Sequence, residues 1–282
     1  MLSVLLYVSV VNRDNLFAII PGAGKRDSSS RHGPTSMKRL VLTTAVVLLA
    51  VNAYAKQQCA QPAPDSLVSS LLRQASGLRK DVLELALEAS TCAEDKGLVK
   101  RHDILTVIDY SLPSSQPRLF IFDLRSQKLL FRELVAHGKN SGGDLASFFS
   151  NSSGSQASSL GLFVTEDTYI GGNGYSLRLR GLEEGVNDMA WDRAIVMHGA
   201  YYVSREAIKA LGRLGRSWGC PAVRAEIADK VIDTVRGGSA IFAYYPDKNW
   251  LASSAFLPHR QPPGGRRYQR LPAQPLVLRL PN

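Results

Sequence analysis

Residues 194–223 read AIVMHGAYYVSREAIKALGRLGRSWGCPAV. A short apolar strand over Ala194–Met197 delivers His198 and Gly199. A helix-like connection follows, and a glycine-rich turn then presents Ser217, Trp218, Gly219 and Cys220. A thiol needs a base within hydrogen-bond reach to become a thiolate near neutral pH, and an imidazole titrates in that range. Gly215 and Gly219 allow a tight turn that brings backbone N–H groups near the sulfur, where a developing oxyanion would sit. On this pattern Cys220 is a candidate nucleophile and His198 its base. The pattern alone leaves the plainer reading open. A single cysteine is more often a small buried hydrophobe, and spacing along the chain does not give adjacency in space.

The segments around this stretch are rich in β-formers. Ile104–Tyr110 and Arg118–Leu124 are short and apolar, with Pro113 and Pro117 between them, and Leu129–Val135 follows a polar turn, so a hairpin is expected. Both faces of these strands are apolar, which predicts sheets packed on both sides. Gly161–Asp167 and Ser176–Leu182 read as further strands, Ala225–Val235 as a helix stopped by Gly237 and Gly238, and Ser239–Tyr245 as a last strand. The fold class is therefore mainly β (α+β). The polar loop over 138–159 is long enough to be functional or disordered. The run YIGGNGY, Tyr169–Tyr175, is glycine-rich and could cradle an anion, although no helix stands behind it.

Residues 56–100 form a helical prelude. Asp65 is placed to cap a first helix ending near Leu72, and Leu78, Val82, Leu85, Ala86 and Ala89 fall on one face of a second. No constellation there could do chemistry, so the prelude reads as a cover for the domain at 101–250, or as a docking arm. Before it, Met37-Lys38-Arg39, an apolar run to Val51 and an Ala-x-Ala site predict a signal peptide over 37–55, cut after Ala55. Residues 1–36 then read as an extension from an upstream start site. The prediction is an exported protein of a bacterial periplasm or envelope, with membrane contact only during export. In an oxidising compartment an odd cysteine is left over: Cys59 and Cys92 could pair across the prelude, leaving Cys220 free.

The net charge of +10 sits at the ends. Residues 1–55 and the proline- and arginine-rich tail at 251–282 carry all but one unit of it. A nucleic-acid binder would place its basic excess on the folded domain, so nucleic acid is excluded as a partner. No CxxC or HExxH spacing supports a metal, and no cofactor is called for.

With these residues set out, the chain resembles the murein L,D-transpeptidase catalytic domains from about Leu105 to Tyr245. The likeness rests on SSLGLF (Ser158–Phe163), RAIVMHGA (Arg193–Ala200) and GRSWGCPAV (Gly215–Val223). It is nearest the divergent branch with a Ser-Trp-Gly-Cys-Pro motif. The resemblance implies a β-sandwich-like domain in which Cys220 takes a peptidoglycan stem-peptide acyl group from D-alanine and passes it to an amine. A thiol hydrolase of stem peptides, or a wall-binding module without catalysis, are the alternatives. Catalytic roles fall to Cys220, His198, Gly219 and Ser217, with N–H groups of Gly219 and Cys220 on the oxyanion and the Gly199 carbonyl orienting the imidazole. Gly199, Trp218, Arg216, Arg224, Tyr169, Tyr175 and His137 are candidates to contact substrate. Two departures stand out: Trp218 replaces a common histidine, and Ala222 replaces an arginine suited to a stem carboxylate.

Overall fold

The computed structural model describes Cys59 and residues 62–257. The start-site extension over 1–36, the signal peptide over 37–55 and the tail beyond 257 lie outside the described residues. Nine strands form one ladder: β1 (Arg101–Asp109), β2 (Leu119–Asp123), β3 (Lys128–Glu133), β4 (Val135–Ala136), β5 (Gly161–Gly171), β6 (Gly174–Gly181), β7 (Val196–Ala200), β8 (Ala222–Arg224) and β9 (Ser239–Tyr244). Their spatial order is β3-β2-β1-β9-β5-β6-β7-β8-β4. The hydrogen bonding is thus continuous, where apolar faces alone had suggested separate sheets.

β1, β2 and β3 form the expected antiparallel meander at one end. β9 then inserts at the centre, parallel to β1 with Leu105 opposite Ala240, and antiparallel to β5. This placement explains why β9 is buried at every position. A strand covered on both faces has no polar side, so it reads as a continuous apolar run.

Five helices lie among the described residues: α1 (Asp65–Leu72), α2 (Lys80–Asp95), α3 (Arg205–Leu211), α4 (Ala228–Val235) and α5 (Lys248–Ser253). α2 packs on β1 and β9, and α4 on β1, β6 and β7. The buried face of α2 carries the predicted Val82, Ala86 and Ala89 together with Leu83, Leu87, Cys92 and Ala93. Burying a side chain such as Val82 or Leu83 contributes roughly 1.5–3 kcal/mol before entropy is counted. These residues share one apolar cluster with the strands, so the helical segment is a layer of the core. Asp65 does not cap α1: Pro64 occupies that position without a side-chain bond, and Asp65 stands in the first turn, where its charge suits the helix dipole.

A disulfide joins Cys59 to Cys92, 33 positions apart, and ties the chain before α1 to the buried side of α2. Closing a loop of that length stabilises the fold by about 3–4 kcal/mol in the chain-entropy view. The folded chain also continues past residue 250. α5 runs to Ser253, and Phe256 and Leu257 are buried in the core, so the tail begins later than its composition suggested.

Candidate active site

β7 begins two residues later than the apolar run predicts, because Ala194 holds a left-handed φ of 52° that breaks the extended backbone. β7 then carries on through His198 and Gly199, which lie inside the strand. Parallel pairing puts Ala222 beside His198. Cys220 precedes Ala222 by two residues, just before β8 begins. His198 and Cys220 line a cavity of about 420 Å³, together with Asn173, Arg193, Ala194, Tyr202, Arg216, Ser217 and Trp218.

His198 Nδ1 lies 2.8 Å from the carbonyl of Gly199. A carbonyl can only accept, so Nδ1 carries the proton and Nε2 is left as the basic nitrogen. Gly199 is required there: a Cβ would approach Ala228 Cβ on α4 to 2.8 Å. Burial holds the imidazole below its usual range, and the Gly199 carbonyl opposes that.

Cys220 is 9% exposed. Its sulfur accepts from the Val196 N–H at 3.4 Å and donates toward the Ala194 carbonyl at 3.8 Å. Burial pushes the thiol up, while the Val196 N–H and the nearby Arg193 charge pull it back. Among the described residues no hydrogen bond joins this sulfur to His198, contrary to the hydrogen-bond reach expected. The two side chains share one cavity, with burial favouring the uncharged form of each.

The turn that carries Cys220 is braced from beneath. Ser217 Oγ donates to the Cys220 carbonyl at 2.6 Å and accepts from the Gly219 N–H at 3.1 Å. The Gly219 N–H, one of the two expected to face an oxyanion, is therefore already engaged. Gly219 has φ 122°, and a Cβ there would meet the Ala157 carbonyl at 2.8 Å. Ser158 Oγ donates to the Gly219 carbonyl at 3.0 Å. Sequence reasoning used Ser158 only as part of a motif.

A second brace starts at Arg118, which is fully buried. It donates to the carbonyls of Leu112 and Val135 and, at 2.7 Å, to His137 Nδ1. Burial pulls this guanidinium down to about 10. His137 in turn donates through Nε2 toward the Gly142 carbonyl at 3.5 Å. Burial and the Arg118 charge hold the imidazole down at about 4. The backbone of this loop pairs with the nucleophile turn, Ser217 N–H to His137 O at 3.0 Å and Lys139 N–H to Ser217 O at 2.7 Å. His137 therefore does not line the cavity. It holds the loop on which Ser217 rests.

Three other candidates are placed elsewhere. Arg224 forms a forked pair with Glu133 at 2.8 and 2.9 Å, away from the cavity. Tyr175 donates its hydroxyl to Asp233 at 2.9 Å, and Tyr169 lies under the guanidinium of Arg178. YIGGNGY is the end of the β5–β6 hairpin, and of its residues Asn173 reaches the cavity. Arg216 does line the cavity, with its guanidinium on the carbonyls of Lys139 and Gly142. Trp218 stands 74% exposed at the rim.

Arg193 was missed as a site residue. It donates to the carbonyls of Ser150 and Ala157 and to the hydroxyls of Ser155 and Ser159. Its signal was weak: a charge just before an apolar strand, within a quoted motif. Among the described residues no group of three or more His, Cys, Asp or Glu could hold a metal ion.

The L,D-transpeptidase catalytic domain family model matches residues 74–244, more than half of the chain. No curated protein sequence matches it. Among solved structures, it overlaps an L,D-transpeptidase from Mycobacterium smegmatis at 14% identity and TM-score 0.32, covering 51% of this chain and 59% of that one. It overlaps the helical cell shape determining protein Pgp2 from Campylobacter jejuni at 12% identity and TM-score 0.36, covering 54% of this chain and 51% of that one. A third overlap is with an L,D-transpeptidase from Xylanimonas cellulosilytica, at 12% identity and TM-score 0.30, covering 65% of this chain and 95% of that one. The chain thus spans between half and three-fifths of the first two structures. On the family match across α2, β1 through β9 and the cavity between them, this chain belongs to the L,D-transpeptidase catalytic domain family.

Proposed function

We propose that the protein is an exported cysteine acyltransferase of the cell envelope, acting on peptidoglycan stem peptides as an L,D-transpeptidase. The observation that carries this reading is the shared cavity of Cys220 and His198, with Nδ1 tied to Gly199 and Nε2 left as the base.

His198 Nε2 takes the proton of the Cys220 thiol, and the sulfur attacks the carbonyl carbon of the L-residue that precedes D-alanine. The oxyanion that forms is met by the Cys220 N–H. The C–N bond then breaks, His198 returns its proton to the departing nitrogen, and D-alanine leaves a thioester on Cys220. A neutral amine on a second stem attacks the thioester. His198 takes the amine's proton and passes it to the departing sulfur, so a new amide forms and the thiol is restored.

Two measurements test the proposal. Incubation with a carbapenem is expected to add one drug mass to the protein and none to Cys220→Ala; an unmodified wild type points to a wall-binding module. Analysis of stem products is then expected to show new cross-links. Tripeptides without cross-links would replace the transferase with a hydrolase.

A further inference from the structure

Arg178 sits on β6 opposite Val196, two residues from Ser176, which is opposite His198. Strand alternation therefore places Arg178 and His198 on one face of the sheet, one strand apart and about 8 Å between Cα atoms. Tyr169 is opposite Ser176 on the other neighbour, so it shares that face. The Arg178 guanidinium carbon lies 4.4 Å from the Tyr169 ring centre and 5.0 Å from that of Trp191. Arg178, Tyr169 and Trp191 do not themselves line the cavity, but Trp191 is two residues before Arg193 and the hairpin carrying Arg178 also carries Asn173, and both Arg193 and Asn173 line it.

Other arginines on this face and around the cavity already have acceptors. Arg180 holds Glu166 at 2.6 Å, Arg193 has four oxygens, and Arg216 has two carbonyls. The Arg178 side chain makes no hydrogen bond and no ion pair among the described residues. Two aromatic rings hold its plane, while the N–H edge is not engaged by protein. A fixed, planar set of donors suits a carboxylate, which it can bind through two parallel bonds. The position after the nucleophile is Pro221-Ala222, and Arg224 is locked to Glu133, so neither supplies that contact.

We infer that Arg178, held against Tyr169 and Trp191 on the His198 face of the sheet, is a carboxylate-binding subsite beside this cavity and reads an acidic group of the stem peptide. The inference rests on the stem-peptide reading above. It names one shared chemistry with two sources, the terminal carboxylate and an internal side-chain carboxylate.

The test is equilibrium binding of a synthetic tetrapeptide stem ending in D-alanine to the Cys220→Ala protein, with and without Arg178→Gln. Two amidated stems are compared, one blocked at the terminal carboxylate and one at the internal side-chain carboxylate. Arg178→Gln is expected to weaken binding of the free stem about ten- to a hundredfold. It is expected to have less than a twofold effect on the stem whose recognised carboxylate is blocked, which identifies the source. Arg178→Lys should recover only part of the loss, and Trp191→Leu should weaken binding with Arg178 in place. An equal loss on all three stems would make Arg178 a structural residue and overturn the inference, as would no loss or no binding at all. Turnover of the stem by wild-type protein is read separately. If binding depends on Arg178 but no thioester forms, the transferase reading falls and the subsite stands. If turnover proceeds and Arg178→Gln leaves KM unchanged, the subsite falls and the transferase stands.

Discussion

Replacing His137 by glutamine removes a buried titrating group from beneath the nucleophile turn while keeping an oxygen that can accept from Arg118. His137 is 1% exposed, and its imidazole is held at about 4 against an ordinary 6.5. The charges that face it, Arg118 and Arg216, are both positive and oppose its protonation. The unfolded chain therefore binds the proton more readily than the folded one. This contribution to stability is complete above pH 6.5 and is lost as the pH falls toward 4. For one site with these two pKa values the loss between pH 7 and pH 5 is about 2 kcal/mol. Urea unfolding of wild type and variant at both pH values measures it. At a slope of about 2 kcal/mol per molar, the wild-type midpoint should drop by about 1 M more than the variant's. Other titrating groups, His198 included, are common to both proteins and cancel in this double difference. Equal drops in the two proteins would show that His137 titrates in the fold as it does in the unfolded chain, and would refute the buried link to Arg118.

Two further outcomes follow from the resting geometry. Because burial raises the Cys220 thiol and lowers the His198 imidazole, alkylation of Cys220 by iodoacetamide should climb about tenfold per pH unit between pH 6 and 8. A plateau below pH 7 would instead reveal a preformed thiolate–imidazolium pair. Ser217→Ala removes the hydroxyl shared by the Gly219 N–H and the Cys220 carbonyl. It should cost about 2 kcal/mol in unfolding free energy and slow carbapenem acylation at least tenfold, read by mass spectrometry. Unchanged acylation would remove Ser217 from the positioning of the nucleophile.

Much of the local architecture was legible in the sequence because it is written in short periods. The apolar runs at β1, β2 and β9 and the amphipathic face of α2 all follow from neighbours a few residues apart. Parity said that one of three cysteines would be left over if a bridge formed; that Cys59 and Cys92 do pair was decided by the structure. The left-handed Ala194 was not legible, because an alanine in that run reads as strand, and its contacts are made by its N–H on the Trp191 carbonyl and by its own carbonyl facing Cys220. The commitment of the Gly219 N–H to Ser217 was equally hidden. Turn composition says that N–H groups are brought near, and it does not say which acceptor reaches them first.

By itself the sequence singled out Cys220 and His198 as candidates, from a cysteine in a glycine-rich turn and a histidine after an apolar strand. It also determined the family, through three short motifs. Tertiary structure alone decided which arginine keeps its donors. Arg193, Arg216, Arg224 and Arg178 are alike as letters, and they part company only when the fold sets oxygens beside the first three and aromatic rings beside the fourth. Such contacts join strands far apart in the chain, and their energies depend on distance and burial, which no local pattern carries.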